Sequence, residues 1–197
     1  MIDYIKGTIT ELSPAELILE NNGIGYSILI SLQTFQSLEN KKEATVFIYH
    51  YLREREDIEL YYGFATKDER ELFSLLIGVS GVGVNSARMM LSSLSSEEIR
   101  QAILGEDIAR IKSVKGIGLK TAQRLVLELK DKIVKGEGAS SDELFSGGRN
   151  EIVEEALRAL IMLGFTKQAV NKAIQAVLKA NPNAKVEQII KSALQMM

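Results

Sequence analysis

Over the first 64 residues, apolar and polar positions alternate in short runs at Tyr4 to Thr10, Leu17 to Glu20, Tyr26 to Ile30, Ala44 to His50 and Glu59 to Phe64. A period of two sends successive side chains to opposite faces, so these runs predict five strands with one face each toward a core. Asn21-Asn22-Gly23 supplies the positive-φ positions of a tight hairpin between the second and third strands. Ser31 to Leu38 fits one or two helical turns between the third and fourth. Five short strands with an interposed helix predict an OB-type β-barrel over residues 1–64, an architecture that often binds nucleic acid. A fold does not establish function.

From Thr66 the period becomes helical. Thr66 with Glu69, and Ser95 with Glu98, have the spacing of capping boxes. Helices are predicted over 67–77, 84–93, 96–104, 106–113 and 119–134, an all-α segment spanning 65–134. Lys135 to Arg149 is rich in Gly and Ser and poor in apolar residues, which predicts a flexible linker over 135–149. Beyond it, Ile152, Val153, Ala156, Leu157, Leu160, Ile161 and Leu163 fall at helical spacing, with Gly164 placed to end the helix. Helices over 167–179 and 186–195, separated by Asn181-Pro182-Asn183, complete a small three-helix domain over 150–197. Its Leu163-Gly164-Phe165 turn resembles the Gly-Phe loop of ubiquitin-associated domains. The predicted fold is therefore multidomain α+β: barrel, central helices, linker and a small helical end.

Two stretches within the helical segment repeat one pattern. Val79-Ser80-Gly81-Val82-Gly83-Val84-Asn85-Ser86-Ala87 is followed, thirty-five residues later, by Val114-Lys115-Gly116-Ile117-Gly118-Leu119-Lys120-Thr121-Ala122. Each lies between two predicted helices as a helix-hairpin-helix. Glycine admits positive φ and carries no side chain, so main-chain N–H groups at the following helix N-terminus can approach an anion closely, where the macrodipole favours negative charge. Amides grip phosphates rather than base edges, so two such clamps predict nucleic-acid binding indifferent to sequence. A lone Gly-x-Gly before a helix is commonly no more than a tight turn; the duplication at matching offsets is what points to phosphate.

Charge changes the picture only when it is placed along the chain. The net charge is −2, which is not that of a typical nucleic-acid binder. Residues 1–64 carry Lys6, Lys41, Lys42, Arg53 and Arg55 against ten carboxylates, whereas 110–135 carries Arg110, Lys112, Lys115, Lys120, Arg124, Lys130, Lys132 and Lys135 against Glu128 and Asp131. The second hairpin sits inside this basic stretch, and a phosphate-binding patch needs only local positive potential. The commoner meaning of such a run is a solvated helix face; the hairpin beside it favours DNA. The 197 residues contain no cysteine, which removes thiol catalysis, disulfides and cysteine-based zinc sites. No apolar run reaches the roughly 18 residues of a spanning helix, and the N-terminus lacks signal-peptide order, so a cytoplasmic protein is expected.

Taken in order, a barrel ending Arg55-Glu56-Asp57-Ile58-Glu59-Leu60-Tyr61-Tyr62-Gly63-Phe64, two Gly-x-Gly hairpins, a linker and a small helical end resemble the RuvA family over the whole chain. These are the Holliday-junction-binding subunits of the bacterial branch-migration machinery. The resemblance implies a homotetramer that holds a four-way DNA junction open, with octamers on DNA left open. It implies a tetramerisation role for 1–64 and DNA binding by 65–134. Residues 150–197 would recruit the hexameric AAA+ ATPase RuvB, and the resolvase RuvC is a further candidate partner. Carried over by motif, Gly81, Gly83, Gly116 and Gly118 form the phosphate-contacting hairpins, with Lys115, Lys120, Thr121 and Arg124 beside the second. Glu56 and Asp57 match the family's acidic pin. Carboxylates amid crowded phosphates raise the energy of duplex there, oppose junction collapse and disfavour continuous duplex. Two departures stand out: many relatives have proline then lysine at the positions of Val84 and Asn85, and a second lysine at that of Leu119. More of the contact is thereby expected from amides and from Lys115, Lys120 and Arg124.

No catalytic residue, cofactor or metal is expected. Gly116-Ile117-Gly118-Leu119-Lys120-Thr121 lacks the spacing of an ATP-binding P-loop. His50 is the sole histidine and has no nucleophile elbow to serve; its place in a strand predicts partial burial or a surface position. The Met89-Met90 pair reads as core filling and Met196-Met197 as a frayed end. Two alternatives remain open at this point: a helix-hairpin-helix glycosylase or nuclease, and an interaction scaffold that binds no DNA.

Overall fold

The computed structural model describes residues 2–53, 57–137, 148–182 and 184–196. The chain divides into two units, Met1–Ala139 and Ser140–Met197.

In the first unit, β1 (Tyr4–Leu12), β2 (Glu16–Asn21), β3 (Ile24–Ile30), β4 (Glu43–Arg53) and β5 (Ile58–Phe64) close a barrel in the order β1-β2-β3-β5-β4. Only β3 and β5 run parallel. Asn22 and Gly23 take φ of 50° and 82°, a two-residue hairpin that sets Asn21 opposite Ile24. Inward positions from every strand, among them Ile5, Leu17, Leu19, Ile28, Ile30, Val46 and Ile48, fill the interior.

The run Val46-Phe47-Ile48-Tyr49 has no polar position, and the structure explains why. Val46 and Ile48 point into the barrel, while Phe47, Tyr49 and Tyr51 face the other way and pack against the helices. There they meet Tyr62 and Phe64 of β5 and Phe73 of α2 (Lys67–Ile77), whose ring lies 5.4 Å from Tyr62, 4.9 Å from Phe64 and 5.3 Å from Tyr49. One aromatic layer thus serves as the outer wall of the barrel and the floor of the helical core. The remaining helices are α3 (Val84–Ser93), α4 (Ser96–Leu104), α5 (Ile108–Lys112) and α6 (Leu119–Glu137).

A polar joint fastens the same seam. Ser31 caps α1 (Leu32–Leu38) and donates from Oγ to Glu69 at 2.6 Å; Thr34 Oγ1 lies 2.8 and 2.9 Å from the two carboxylate oxygens, and Ala65 N–H donates at 3.1 Å. Glu69 is fully buried, and desolvation pushes its carboxyl above the usual range, although the hydroxyls of Ser31 and Thr34 pull the other way. The capping box expected of Thr66 and Glu69 is therefore half made. Thr66 accepts from Glu69 N–H at 3.1 Å, but the Glu69 side chain is drawn into the joint instead of returning to Thr66. The Ser95–Glu98 box is complete. Met90 is buried in the helical core, whereas Met89 is exposed, so core filling describes only one of the pair.

The second unit packs α7 (Gly148–Met162), α8 (Lys167–Ala180) and α9 (Val186–Leu194) around Ala156, Leu160, Val170, Ile174, Val177 and Ile189. After α7, Gly164 N–H reaches Ile161 O at 2.9 Å and Phe165 N–H reaches Leu160 O at 3.3 Å, with Gly164 at φ 98°. This paired closure of a helix end around a left-handed glycine is the stop signal expected there. Of the expected linker, 135–137 belongs to α6 and 148–149 to α7; 138–147 lies outside the described residues. Among the described residues, no helix is long and apolar enough to cross a membrane.

Candidate nucleic-acid interface

The two hairpins fold alike. Val79 and Val114 close the preceding helix, and Val82 N–H bonds Val79 O at 3.0 Å as Ile117 N–H bonds Val114 O at 3.1 Å. Gly81 and Gly116 take φ of 94° and 91°, a region closed to most side chains. Val82 and Ile117 are buried in the helical core and anchor each bend, leaving the four glycines on the surface. A Cβ built on Gly83, Gly116 or Gly118 would meet nothing within 4 Å. At Gly83 and Gly118 neither internal packing nor a positive φ calls for glycine, and the missing side chain leaves the surface open there.

Capping sets the two hairpin helices apart from their neighbours. Helices α1, α2, α4 and α5 start on Ser31, Thr66, Ser95 and Asp107, whose side chains accept from the first turn, and α2 and α4 add first-turn acids Asp68, Glu69, Glu97 and Glu98. Helix α3 starts on Gly83 with no side-chain cap, α6 follows Gly118, and neither has an acid in its first turn. The leading amides of an α-helix have no intrahelical partner. At α3 and α6 no first-turn acid among the described residues offsets the positive end of the macrodipole.

The structure brings the two bends together. Thr121, in the first turn of α6, sits with Oγ1 3.6 Å from where a Gly81 Cβ would be, and Arg124 donates to Ser80 O at 3.2 Å. Thr121 and Arg124 thus bridge the hairpins, with Arg124 also 3.7 Å from Glu128. Lys115 and Lys120 are exposed and make no ion pair among the described residues; Lys112 and Lys132 share that state. Elsewhere the basic run is neutralised: Arg110 meets Glu98 at 2.5 Å, and Lys130 meets Glu106 at 2.5 Å and holds that carboxyl below its usual range. The sequence showed the charges but not this division, which depends on α5 packing against α4 and on the turn between them packing against α6.

Of the acidic pair, Glu56 lies outside the described residues. Asp57 is exposed at φ 52° and leads into β5. Pairing of β1 with β4 ends at Phe47, with one more bond from Ile48 N–H to Asp3 O, and β3 pairs with β5 only from Tyr61 on. From Tyr49 to Arg53, β4 pairs with β5 alone. Before Tyr61, where β5 joins β3, the pairs Tyr51 with Leu60, Leu52 with Glu59 and Arg53 with Ile58 form a two-stranded ribbon about 10 Å long, at about 3.3 Å per residue, that carries Asp57 away from the barrel. Its base adjoins the first hairpin's helix, where Tyr62 OH lies 3.4 Å from Asn85 Oδ1. On the ribbon's other face His50 lies 3.3 Å from Glu59 and against the Tyr61 ring. Asn85 and Leu119 are both exposed. Sequence reasoning missed Ser80 and Tyr62, because their contacts with Arg124 and Asn85 are made across the fold.

Comparison with known proteins agrees with this architecture. Residues 1–61 match the family model for the RuvA N terminal domain, 73–131 that for a SAM-like helix-hairpin-helix tandem, and 151–197 that for the RuvA C-terminal domain. The chain is 50% identical over 198 residues to the Holliday junction branch migration complex subunit RuvA of Parabacteroides distasonis, covering 100% of both. It is 50% identical over 194 residues to that of Christiangramia forsetii and 48% over 200 to that of Bacteroides fragilis, covering 98% of both chains in each case.

Proposed function

The chain belongs to the RuvA family, and from that premise we propose that it is a non-catalytic subunit that binds four-way DNA junctions and serves their branch migration in recombination and repair. The observation that carries the reading is the pair of glycine bends, held rim to rim, each opening a helix without a first-turn acid.

In this reading the leading amides of α3 and α6 donate to phosphate oxygens, with Gly81, Gly83, Gly116 and Gly118 giving the strand room to approach. Lys115 and Lys120 add charge, Thr121 adds a hydroxyl, and Arg124 holds the two clamps at one spacing while keeping donors for phosphate. Such contacts set register without reading bases, so selectivity comes from shape and repulsion. Asp57, at the end of the ribbon, and Glu56, its neighbour in sequence, supply negative charge where strands converge; continuous duplex is repelled while separated arms pass around it.

Residues 1–64 assemble the tetramer, 65–134 hold DNA and 135–149 tether 150–197, which engages RuvB; ATP hydrolysis belongs to that motor. RuvC would act on the junction held in this way, and the protein works in the cytoplasm. The test is a titration of labelled four-way junction against excess linear duplex. Retention of the junction by the protein is expected, and equal affinity for the two DNAs would refute the reading.

A further inference from the structure

Arg88 stands out among the arginines of the first unit. Arg70, Arg100, Arg110 and Arg124 each lie within ion-pair distance of a carboxylate, from Asp3, Asp68, Glu98 and Glu128. Arg88 is half-buried and has none among the described residues; there its one hydrogen bond is from Nη1 to the Ala15 carbonyl at 3.2 Å. It lies one turn along α3 from Asn85, on the same face, and helical side chains lean toward the N-terminus. Arg88 thus lies within one helical turn of the α3 start, which has no first-turn acid, and its guanidinium is held on Ala15 in the turn between β1 and β2. Burial raises the Tyr62 hydroxyl above its usual value, while the guanidinium of Arg88 and then that of Arg53 pull it down, which puts both cations in the neighbourhood of the contact between Tyr62 and Asn85. A half-buried guanidinium without an acid among the described residues is an arrangement that an incoming anion completes.

We propose that Arg88 is a phosphate-contacting residue of the first hairpin, supplying from the second turn of α3 the charge that Asn85 lacks. The proposal rests on the junction-binding reading and deepens it. One guanidinium donor holds the Ala15 carbonyl and fixes the side chain, which leaves the others for a backbone phosphate passing between the first bend and the ribbon. The first clamp is thereby cationic like the second, although no lysine adjoins its glycines.

The experiment measures junction affinity by fluorescence anisotropy over a range of salt for wild type, Arg88→Gln, Arg88→Lys and Lys120→Gln. Removing one cation from a phosphate lowers the slope of log K against log salt by about 0.9 in magnitude. Arg88→Gln is expected to flatten the slope, as Lys120→Gln does, and Arg88→Lys to restore it. A merely structural Arg88 would change affinity at fixed slope, so a wild-type slope in Arg88→Gln beside a flattened one in Lys120→Gln overturns the proposal. Wild-type slopes in both would instead overturn the phosphate-clamp reading itself. Should Arg88→Gln not fold, phenylglyoxal modification of the wild-type protein decides. Junction DNA is expected to slow modification of Arg88 but not of Arg100, and equal rates at Arg88 with and without DNA would refute the contact.

Discussion

Replacing Glu69 tests how the barrel is joined to the hairpins. Its carboxylate accepts from Ser31 Oγ, Thr34 Oγ1 and Ala65 N–H, with no cation in the joint. Glu69→Ala strands these donors. The Ser31 hydroxyl can turn to Thr34 Oγ1, 3.3 Å away, which leaves about two buried donors unpaired at about 1–3 kcal/mol each, so a loss of about 4 kcal/mol is expected. Glu69→Gln keeps the shape and removes the titration. Because burial raises the native carboxyl above its ordinary value, the folded chain binds this proton more tightly than the unfolded one. The resulting stability is complete below the ordinary carboxylate value and declines as pH rises through the raised native one. Relative to wild type, Glu69→Gln should therefore gain stability as pH rises across that window. All six tyrosines fall between Tyr4 and Tyr62 and there is no tryptophan, so tyrosine fluorescence during urea unfolding reports the first unit alone. A Glu69→Ala loss below about 1 kcal/mol, or a Gln-minus-wild-type difference that is flat or falls between about pH 4 and 8, would refute the reasoning.

Two further outcomes follow from the site. Alanine at Gly81 or Gly116 forces a side chain into positive φ and should cost about 1–2 kcal/mol of stability, whereas alanine at Gly83 or Gly118, where the methyl meets open space, should change stability by less than about 0.5 kcal/mol. Both sets should weaken junction binding, so thermal melts beside anisotropy titrations separate strain from blocked approach; intact binding in Gly83→Ala with Gly118→Ala would mean that no strand comes near the bends. Glu56→Gln with Asp57→Asn should leave stability unchanged, since Asn tolerates the φ of 52° at position 57, yet tighten binding to plain duplex and narrow the preference for junctions, as read by competition titration.

Much of the fold was legible because its signals are local. Alternation marked the strands, Asn22-Gly23 marked a hairpin that needs positive φ, Ser95 and Glu98 marked a helix start, and Gly164 marked a helix end. Each depends on residues a few positions apart, whose preferences act before any core exists. Thr66 and Glu69 show where such reasoning fails. Their spacing fits a capping box, but Ser31 and Thr34, more than thirty residues away, offer Glu69 donors in a buried seam, and a carboxylate shielded from water takes every donor within reach.

The candidate site divides along the same line. The sequence alone determined that two glycine bends open two helices, that Lys115 and Lys120 adjoin the second, and that both helices begin without an acid. Only the tertiary structure decided that Thr121 and Arg124 bring the bends rim to rim, that Glu98 and Glu106 neutralise Arg110 and Lys130, and that Arg88 is left without a carboxylate among the described residues. The physical reason is range. Backbone conformation and capping are settled within a helical turn, whereas electrostatic potential at a surface is the sum over charges that meet only when distant segments pack.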